Sequence, residues 1–380
     1  MADSAYFIWP SYFPRLERKL LHRLFAVPYP GAKILRFSFS QVMLRGPRHS
    51  SVLPIILLVT VLLSFGSFLP VAAAQPASND HLVELAPIEV DPQRPGRKNF
   101  GALTLLAAFH LQSKDKRFGG LSGLSIGKDS KLYAVSDRGY WLSARMVTDE
   151  NGALTNLIDG QIAPILTPAK TPVTGSLRDA EALAQSSDGS LLIGFEGTHR
   201  IWRYSPPPNT FASTPIAVPI PAAIASAPAN GGIEGLTMLP DGRLLILTEQ
   251  FENQDGSIRG WLLNADQSVE LSYVPADGFR ITDCAALNNG DVLVLERRYV
   301  PFAILSARVT LVDARTIQPG AKLAGRELLK LEQPLAAENF EGIAVQQTSQ
   351  GATIFLISDD NFSSFQQTLL LQFLLPNTDN

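Results

Sequence analysis

From residue 121 onward, short runs of Leu, Ile, Val and Ala alternate with tight polar breaks, and one unit returns five times. The copies are LSGLSIGKDSKLYAVSD (121–137), AEALAQSSDGSLLIGFE (180–196), IEGLTMLPDGRLLILTE (233–249), TDCAALNNGDVLVLE (282–296) and FEGIAVQQTSQGATIFLISDD (340–360). Each reads as a strand, a turn and a second strand. The turns centre on Asp129-Ser130, Asp188-Gly189, Asp241-Gly242, Asn289-Gly290 and Gln350-Gly351. Asp-Gly and Asn-Gly between apolar runs predict two-residue type I′ hairpins, whose two central residues both take positive φ. Successive turns lie 48 to 61 residues apart, and the intervals hold more strand-like pieces (RIWRYS, GWLLNA, ARVTLVDA) instead of long amphipathic helices. That period predicts an all-β fold, a β-propeller of five or six four-stranded blades. Strands apolar on both faces suit blades that pack face to face. The runs ALTLLAAFHL (102–111) and TLLLQFLL (368–375) are placed to pair and close the ring. A β-sandwich is the alternative, but sandwiches lack so long a regular repeat.

The repeat brings acids into phase. A two-residue loop pairs residues whose numbers share one sum, so Glu181 should face Glu196 and Glu234 should face Glu249. Asp283 should likewise face Glu296, Glu341 should face Asp360, and Ser122 should face Asp137. All lie at the hairpin end away from the turn, which in a propeller opens on one mouth of the central channel. Directly opposed like charges destabilise a strand pair. Crowded carboxylates also have raised pKa values unless a cation compensates. Four such pairs predict a hard divalent cation, Ca²⁺ or another, held by Asp137, Glu181, Glu196, Glu249, Asp283, Glu296, Asp359 and Asp360. The competing reading is structural: acids that cap strand ends and staple blades through backbone amides and arginines. Basic residues adjoin the acids: Arg138, Arg178, His199, Arg200, Arg297 and Arg298. Guanidinium groups hold phosphate or carboxylate bidentately, so Arg138 and Arg297 are expected to contact an anion.

Composition narrows the classes. Residues 52–63 (VLPIILLVTVLL) follow Arg45, Arg48 and His49, and precede Pro70 and a small-residue site at Ala72–Ala74. This pattern predicts a secretory signal peptide after a long N-terminal extension, with an uncleaved membrane anchor as the alternative. Met43 would start a signal of conventional length. The expected organisation is extension and signal at 1–74, a Pro-rich linker at 75–100 and the propeller at 101–376. Beyond residue 74 the chain holds 24 basic and 33 acidic residues, a net charge of −9. An acidic, secreted or periplasmic chain of this kind excludes nucleic acid as a partner. Cys284 is the one cysteine, so there is no internal disulfide and no Cys/His zinc site. A monomer acting on a small molecule is expected. No G-x-S-x-G elbow occurs, since Ser122 in GGLSGLS is wrongly placed for one, and no Walker A or G-x-G-x-x-G occurs either.

The set LSGL…SDRG, DAEAL…DG, IEGL…PDG…LTE, ITDCAALNNGDVLVLERRY and NFEGIA…SDDNF resembles the phytase-like family, described as having esterase-like activity of phytase. The resemblance covers about residues 101–376. It implies a secreted or periplasmic protein that acts on a phosphorylated small molecule. The family's acids match Asp137, Asp179, Glu181, Glu234, Glu249, Asp283, Glu296, Glu341, Asp359 and Asp360, and its basic positions match Arg138, Arg297 and Arg298. Ser122 departs from the pattern, standing where other blades carry an acid. The function expected is metal-dependent phosphoester hydrolysis. Glu234 or Glu341 would serve as general base, with Arg138 and Arg297 on the phosphate. A non-catalytic envelope propeller that binds a ligand or partner is one alternative. A metal-dependent lactonase or esterase is another.

Overall fold

The computed structural model describes residues 82–265, 267–276, 278–299 and 305–377. The N-terminal extension and signal expected at 1–74 lie outside the described residues. No helix among the described residues is long and apolar enough to cross a membrane.

Among the described residues five antiparallel sheets form a five-bladed β-propeller. Blade 1 orders Leu121–Ile126, Lys131–Ser136, Tyr140–Thr148 and Leu154–Pro164 from the axis outward. Blade 2 runs Ala180–Gln185, Leu191–Phe195, Arg200–Tyr204 and Ile216–Val218. Blade 3 runs Ile233–Met238, Leu244–Glu252, Ile258–Leu263 and Ser268–Tyr273, with Lys322–Leu323 added in parallel at its edge. Blade 4 runs Arg280–Ala286, Val292–Tyr299, Leu305–Val312 and Arg326–Glu332. Blade 5 is built from both ends of the described chain: Phe340–Thr348, Gly351–Ser358 and Leu369–Pro376, then Leu103–Gln112. The expected closure is therefore formed, with Leu371 opposite Ala108 and Phe373 opposite Leu105. The segment expected as a linker also joins this blade, because Glu84–Pro87 and Asn99–Phe100 pair with Leu103–Gln112.

Five apolar clusters lie between the blades, and the second strand of each blade feeds two of them. In blade 2, Leu191, Ile193 and Phe195 pack toward blade 1, while Leu192 packs toward blade 3. Side chains alternate across a strand, so a strand walled on both sides must be apolar on both faces. This explains the unbroken Leu/Ile/Val runs. The five inner strands touch in cyclic order around the axis. So close an approach demands small residues. A Cβ on Gly123 would meet the backbone nitrogen of Leu183 at 2.7 Å, and one on Gly342 would meet Leu124 Cβ of blade 1 at 3.0 Å.

The turns differ from the predicted type. In blades 1 to 4 the hairpin loop has three residues: the N–H groups of Gly127, Ser186, Leu239 and Leu287 donate to the carbonyls of Lys131, Ser190, Arg243 and Asp291. Only the last loop residue is left-handed: Ser130 (φ 58°), Gly189 (86°), Gly242 (88°) and Gly290 (90°). Asp188, Asp241 and Asn289 instead accept, through their side chains, the N–H two residues on, at 3.0, 3.0 and 3.1 Å. The Asx side chain and the following glycine thus build a type I turn with a G1 bulge, which uses the same dipeptide for a longer loop. The register moves by one residue, so that Ala182 faces Gly194 and Gly235 faces Leu247. Toward the channel mouth each inner strand also carries a bulge, at Ser122, Glu181, Glu234, Thr282 and Glu341. No predicted acid pair is therefore directly opposed.

Phe373 is fully buried in the closing strand and meets Phe100 edge-on, 6.1 Å between ring centroids. Phe373→Ala is expected to lower the unfolding free energy by about 3–5 kcal/mol in urea titrations. A loss below about 1 kcal/mol would mean that the closing strand is not integral to the fold.

Candidate active site at the channel mouth

The bulges decide which side chains reach the mouth. In each blade one such residue is the bulged residue of the inner strand. The other follows the second-strand residue that faces the position just before that bulge. The two places are filled by Ser122 and Asp137, Glu181 and Glu196, Glu234 and Glu249, Thr282 and Arg297, and Glu341 and Asp359. A small or short side chain follows each bulge (Gly123, Ala182, Gly235, Asp283, Gly342), as the narrow axis requires. Blade 4 alone puts a cation at the second place.

The carboxylates sense one another across blades. Glu234 is 7 % exposed, and its side chain has no hydrogen-bond or ion-pair partner among the described residues. Burial, then the charges of Glu181, Glu196, Glu341 and Glu249, push its pKa well above the usual carboxylate range. Glu181 is raised in the same way, by burial and then Asp179, Glu341 and Glu196, against a hydrogen bond from Ser122. Burial lifts Glu196 to about 7, although the N–H groups of Gly231 (2.7 Å) and Gly232 donate to its Oε1. Burial also lifts Glu341 to about 7, opposed by Arg297, and Asp359 to about 7, opposed by the N–H of Asn361. Asp137 is raised by burial, with Arg138 pulling the other way.

Arg297 is the fixed counter-charge. Its Nη1 donates to Glu341 Oε1 at 2.6 Å and to Asn339 Oδ1, and its Nη2 donates to Glu249 Oε1 at 3.3 Å. Burial disfavours the charged guanidinium, but Glu341, Glu249 and Glu234 together outweigh it and raise its pKa. One half of the mouth, Glu249 and Glu341, is thus compensated. The other half, Glu181, Glu196 and Glu234, has no cation within ion-pair reach among the described residues.

Three expected ligands, Asp283, Glu296 and Asp360, stand apart from this group. Asp283 is fully buried on the axis, where Oδ1 accepts the N–H of Cys284 (2.7 Å) and Oδ2 that of Ile343 (2.8 Å). It staples blade 4 to blade 5. Glu296 is fully buried on the face toward blade 3, and Arg308 Nε donates to its Oε2 at 2.6 Å. Phase along the hairpin explains both: seven residues before the turn, where blades 1 to 3 carry Ser122, Glu181 and Glu234, blade 4 carries Thr282, so Thr282 and Arg297 take the mouth positions expected for Asp283 and Glu296. Asp360 turns sideways, accepting the N–H of Gly120 and of Phe362, each at 3.0 Å. Arg138 lies at the rim with its guanidinium carbon 3.2 Å from the Phe362 ring centroid. Asn339, Phe362 and the Gly231-Gly232 amides have no repeating sequence signal. The bulge does have one: a Ser, Glu or Thr followed by a small or short residue, in phase with the blades.

The donor set is oxygen throughout, and Glu234 is an orphaned buried carboxylate, so the chemistry suits a hard cation. Among the described residues no three His, Cys, Asp or Glu side chains stand at metal-holding distance. Glu196 and Glu341 titrate near 7 folded against 4.5 ordinarily, and Asp359 near 7 against 3.8. Between those values the folded chain binds more protons than the unfolded one, so stability is lost as pH rises toward 7. Without divalent cation, the melting temperature is expected to fall from about pH 5 to about pH 8. Glu234→Gln should flatten that slope. A melting temperature that rises over the same interval would refute the proton-sharing picture.

The family described as phytase-like, with esterase-like activity of phytase, matches residues 116–362. No curated protein matches the chain. Among solved structures, a gluconolactonase from Xanthomonas campestris is similar at 11% identity and a TM-score of 0.39, over 76% of this chain and 97% of that one. A virginiamycin B lyase from Staphylococcus aureus is similar at 12% identity and a TM-score of 0.37, over 77% and 99%. Likenesses this distant carry no functional argument. The match to the family spans about two thirds of the sequence, and the chain belongs to the phytase-like family.

Proposed function

We propose that the protein is a secreted or periplasmic, metal-dependent phosphoester hydrolase acting at the channel mouth. The observation that carries this reading is the unpartnered, buried Glu234 in the uncompensated half, facing a fixed guanidinium in the other half. Glu181 and Glu196 would hold Ca²⁺ or another hard divalent cation, with Asp137 and Asp359 beside them. A cation bound there supplies Lewis acidity toward a phosphoryl oxygen. The half-buried Arg297 presents N–H groups to a tetrahedral oxyanion, and Arg138 offers a second guanidinium at the rim. Glu341 or Glu234 accepts the proton of the attacking water as the new P–O bond forms, and the ester oxygen leaves with a proton. A carboxylate whose pKa lies near 7 is matched to that task at neutral pH. Glu341 shares its oxygen with Arg297, so Glu234 is the freer base.

A second reading, a non-catalytic envelope propeller, is favoured by one observation. Arg297 already links blades 3, 4 and 5 as a staple would.

The full chain with Ca²⁺ is expected to hydrolyse a simple aryl phosphate, and chelation should abolish turnover. Glu234→Gln should lower kcat/KM by about 10²–10⁴-fold. Arg297→Gln should raise KM by about tenfold or more. Turnover of lactones alone would replace this reading with a lactonase. No turnover of either, with a melting temperature raised by Ca²⁺, would leave the non-catalytic propeller.

A further inference from the structure

Two arginines at the rim make no ion pair in a mouth crowded with acids, although the charge of Asp137 reaches both. Arg138, at the end of the second strand of blade 1, is exposed, and its side chain makes no hydrogen bond or ion pair among the described residues. Arg178, just before the inner strand of blade 2, is exposed and equally unpaired. Arg178 packs against the residue that follows Arg138, since a Cβ on Gly139 would meet Arg178 Cβ at 3.0 Å. An exposed arginine normally keeps its rotamer freedom, yet Arg138 is pinned flat on the Phe362 ring. Stacking occupies the guanidinium face and leaves its N–H edge open.

The platform under Arg138 is itself built at a cost. Asn361 (φ 49°) and Phe362 (φ 50°) are both left-handed without being glycine. Such residues are disfavoured and persist only where the surroundings hold them. Here the surroundings are Asp359, whose Oδ1 accepts the N–H of Asn361 at 2.7 Å, and Asp360, whose Oδ1 accepts that of Phe362 at 3.0 Å. Asp360 also accepts the N–H of Gly120 at 3.0 Å, tying the loop to blade 1. A Cβ on Gly120 would meet Phe362 Cε2 at 2.5 Å, so the glycine makes room for the ring. A strained loop held by two carboxylates and cleared by a glycine ends in one aromatic face, and that face fixes one cation.

We infer that Arg138 and Arg178 form an oxyanion subsite at the blade 1–2 rim, for a phosphate-type group, with Phe362 as the residue that positions Arg138. Its geometry is separate from Glu234. Its use in holding a non-reacting group of the substrate rests on the hydrolase reading.

The test is calorimetric titration of the full chain with inorganic phosphate, with acetate as the comparison anion. Phosphate is expected to bind more tightly than acetate. Arg138→Gln and Arg178→Gln should each weaken phosphate by about tenfold. Phe362→Leu should weaken it by about threefold, and Phe362→Tyr, which keeps the ring, should restore it. Glu234→Gln should leave phosphate affinity undiminished, whether or not it turns over substrate, which separates this subsite from the hydrolase reading. Absence of phosphate binding, or wild-type affinity in Arg138→Gln, would overturn the subsite. Equal affinities in the leucine and tyrosine variants would overturn the role of Phe362.

Discussion

Burial of carboxylates that have no room to separate governs the mouth of this propeller, and their mutual repulsion adds to it. Glu181, Glu196, Glu234 and Glu341 come from three blades, and Glu181, Glu196 and Glu341 each raise the proton affinity of others in the set. Their positions are not adjustable, because each is fixed by strand pairing or by a bulge in it. The molecule answers the repulsion in three ways. Arg297 neutralises two of the acids, backbone amides of Gly231 and Gly232 solvate a third, and shared protons cover the remainder. Only the last of these is exchangeable, so that half of the mouth is where a ligand of positive charge can enter.

The axis imposes the second constraint. Five inner strands in mutual contact leave no space for large side chains, so Gly123, Ala182, Gly235 and Gly342 stand there. Asp283 is the exception, and it survives by giving both oxygens to backbone amides. Thr282 beside it does the same kind of work, its hydroxyl donating to the Phe340 carbonyl at 3.0 Å. Blade 4 has thus exchanged mouth acidity for blade-to-blade ties, and Arg297 completes that exchange.

Much of the architecture was legible in the sequence because it depends on periodicity. The five hairpins, the two-faced apolar strands and the pairing of 102–111 with 368–375 all follow from pattern and turn chemistry. The convergence of Glu181, Glu234, Glu341 and their neighbours was legible for the same reason. The finer register was not. Asp-Gly and Asn-Gly serve both two- and three-residue loops, and the choice depends on whether the Asx side chain accepts the N–H two residues on, as Asp188 does from Ser190. The bulges then displaced a further residue per blade. In blade 4 the phase along the hairpin mattered most: Thr282, not Asp283, is the bulged residue, which puts Arg297 at the mouth and leaves the Glu296 carboxylate with Arg308. Phe362 was invisible because nothing in NFSSF announces a left-handed platform.

The pairing of Leu369–Pro376 with Leu103–Gln112 has a consequence for biosynthesis. The final blade cannot be completed until the last strand leaves the ribosome, because its two halves are the first and last parts of the disc to be made. A nascent chain therefore stays as an open arc of blades, with one apolar flank bare, until Leu369–Pro376 has been made. Such a chain remains threadable, and the disc locks only when its tail arrives.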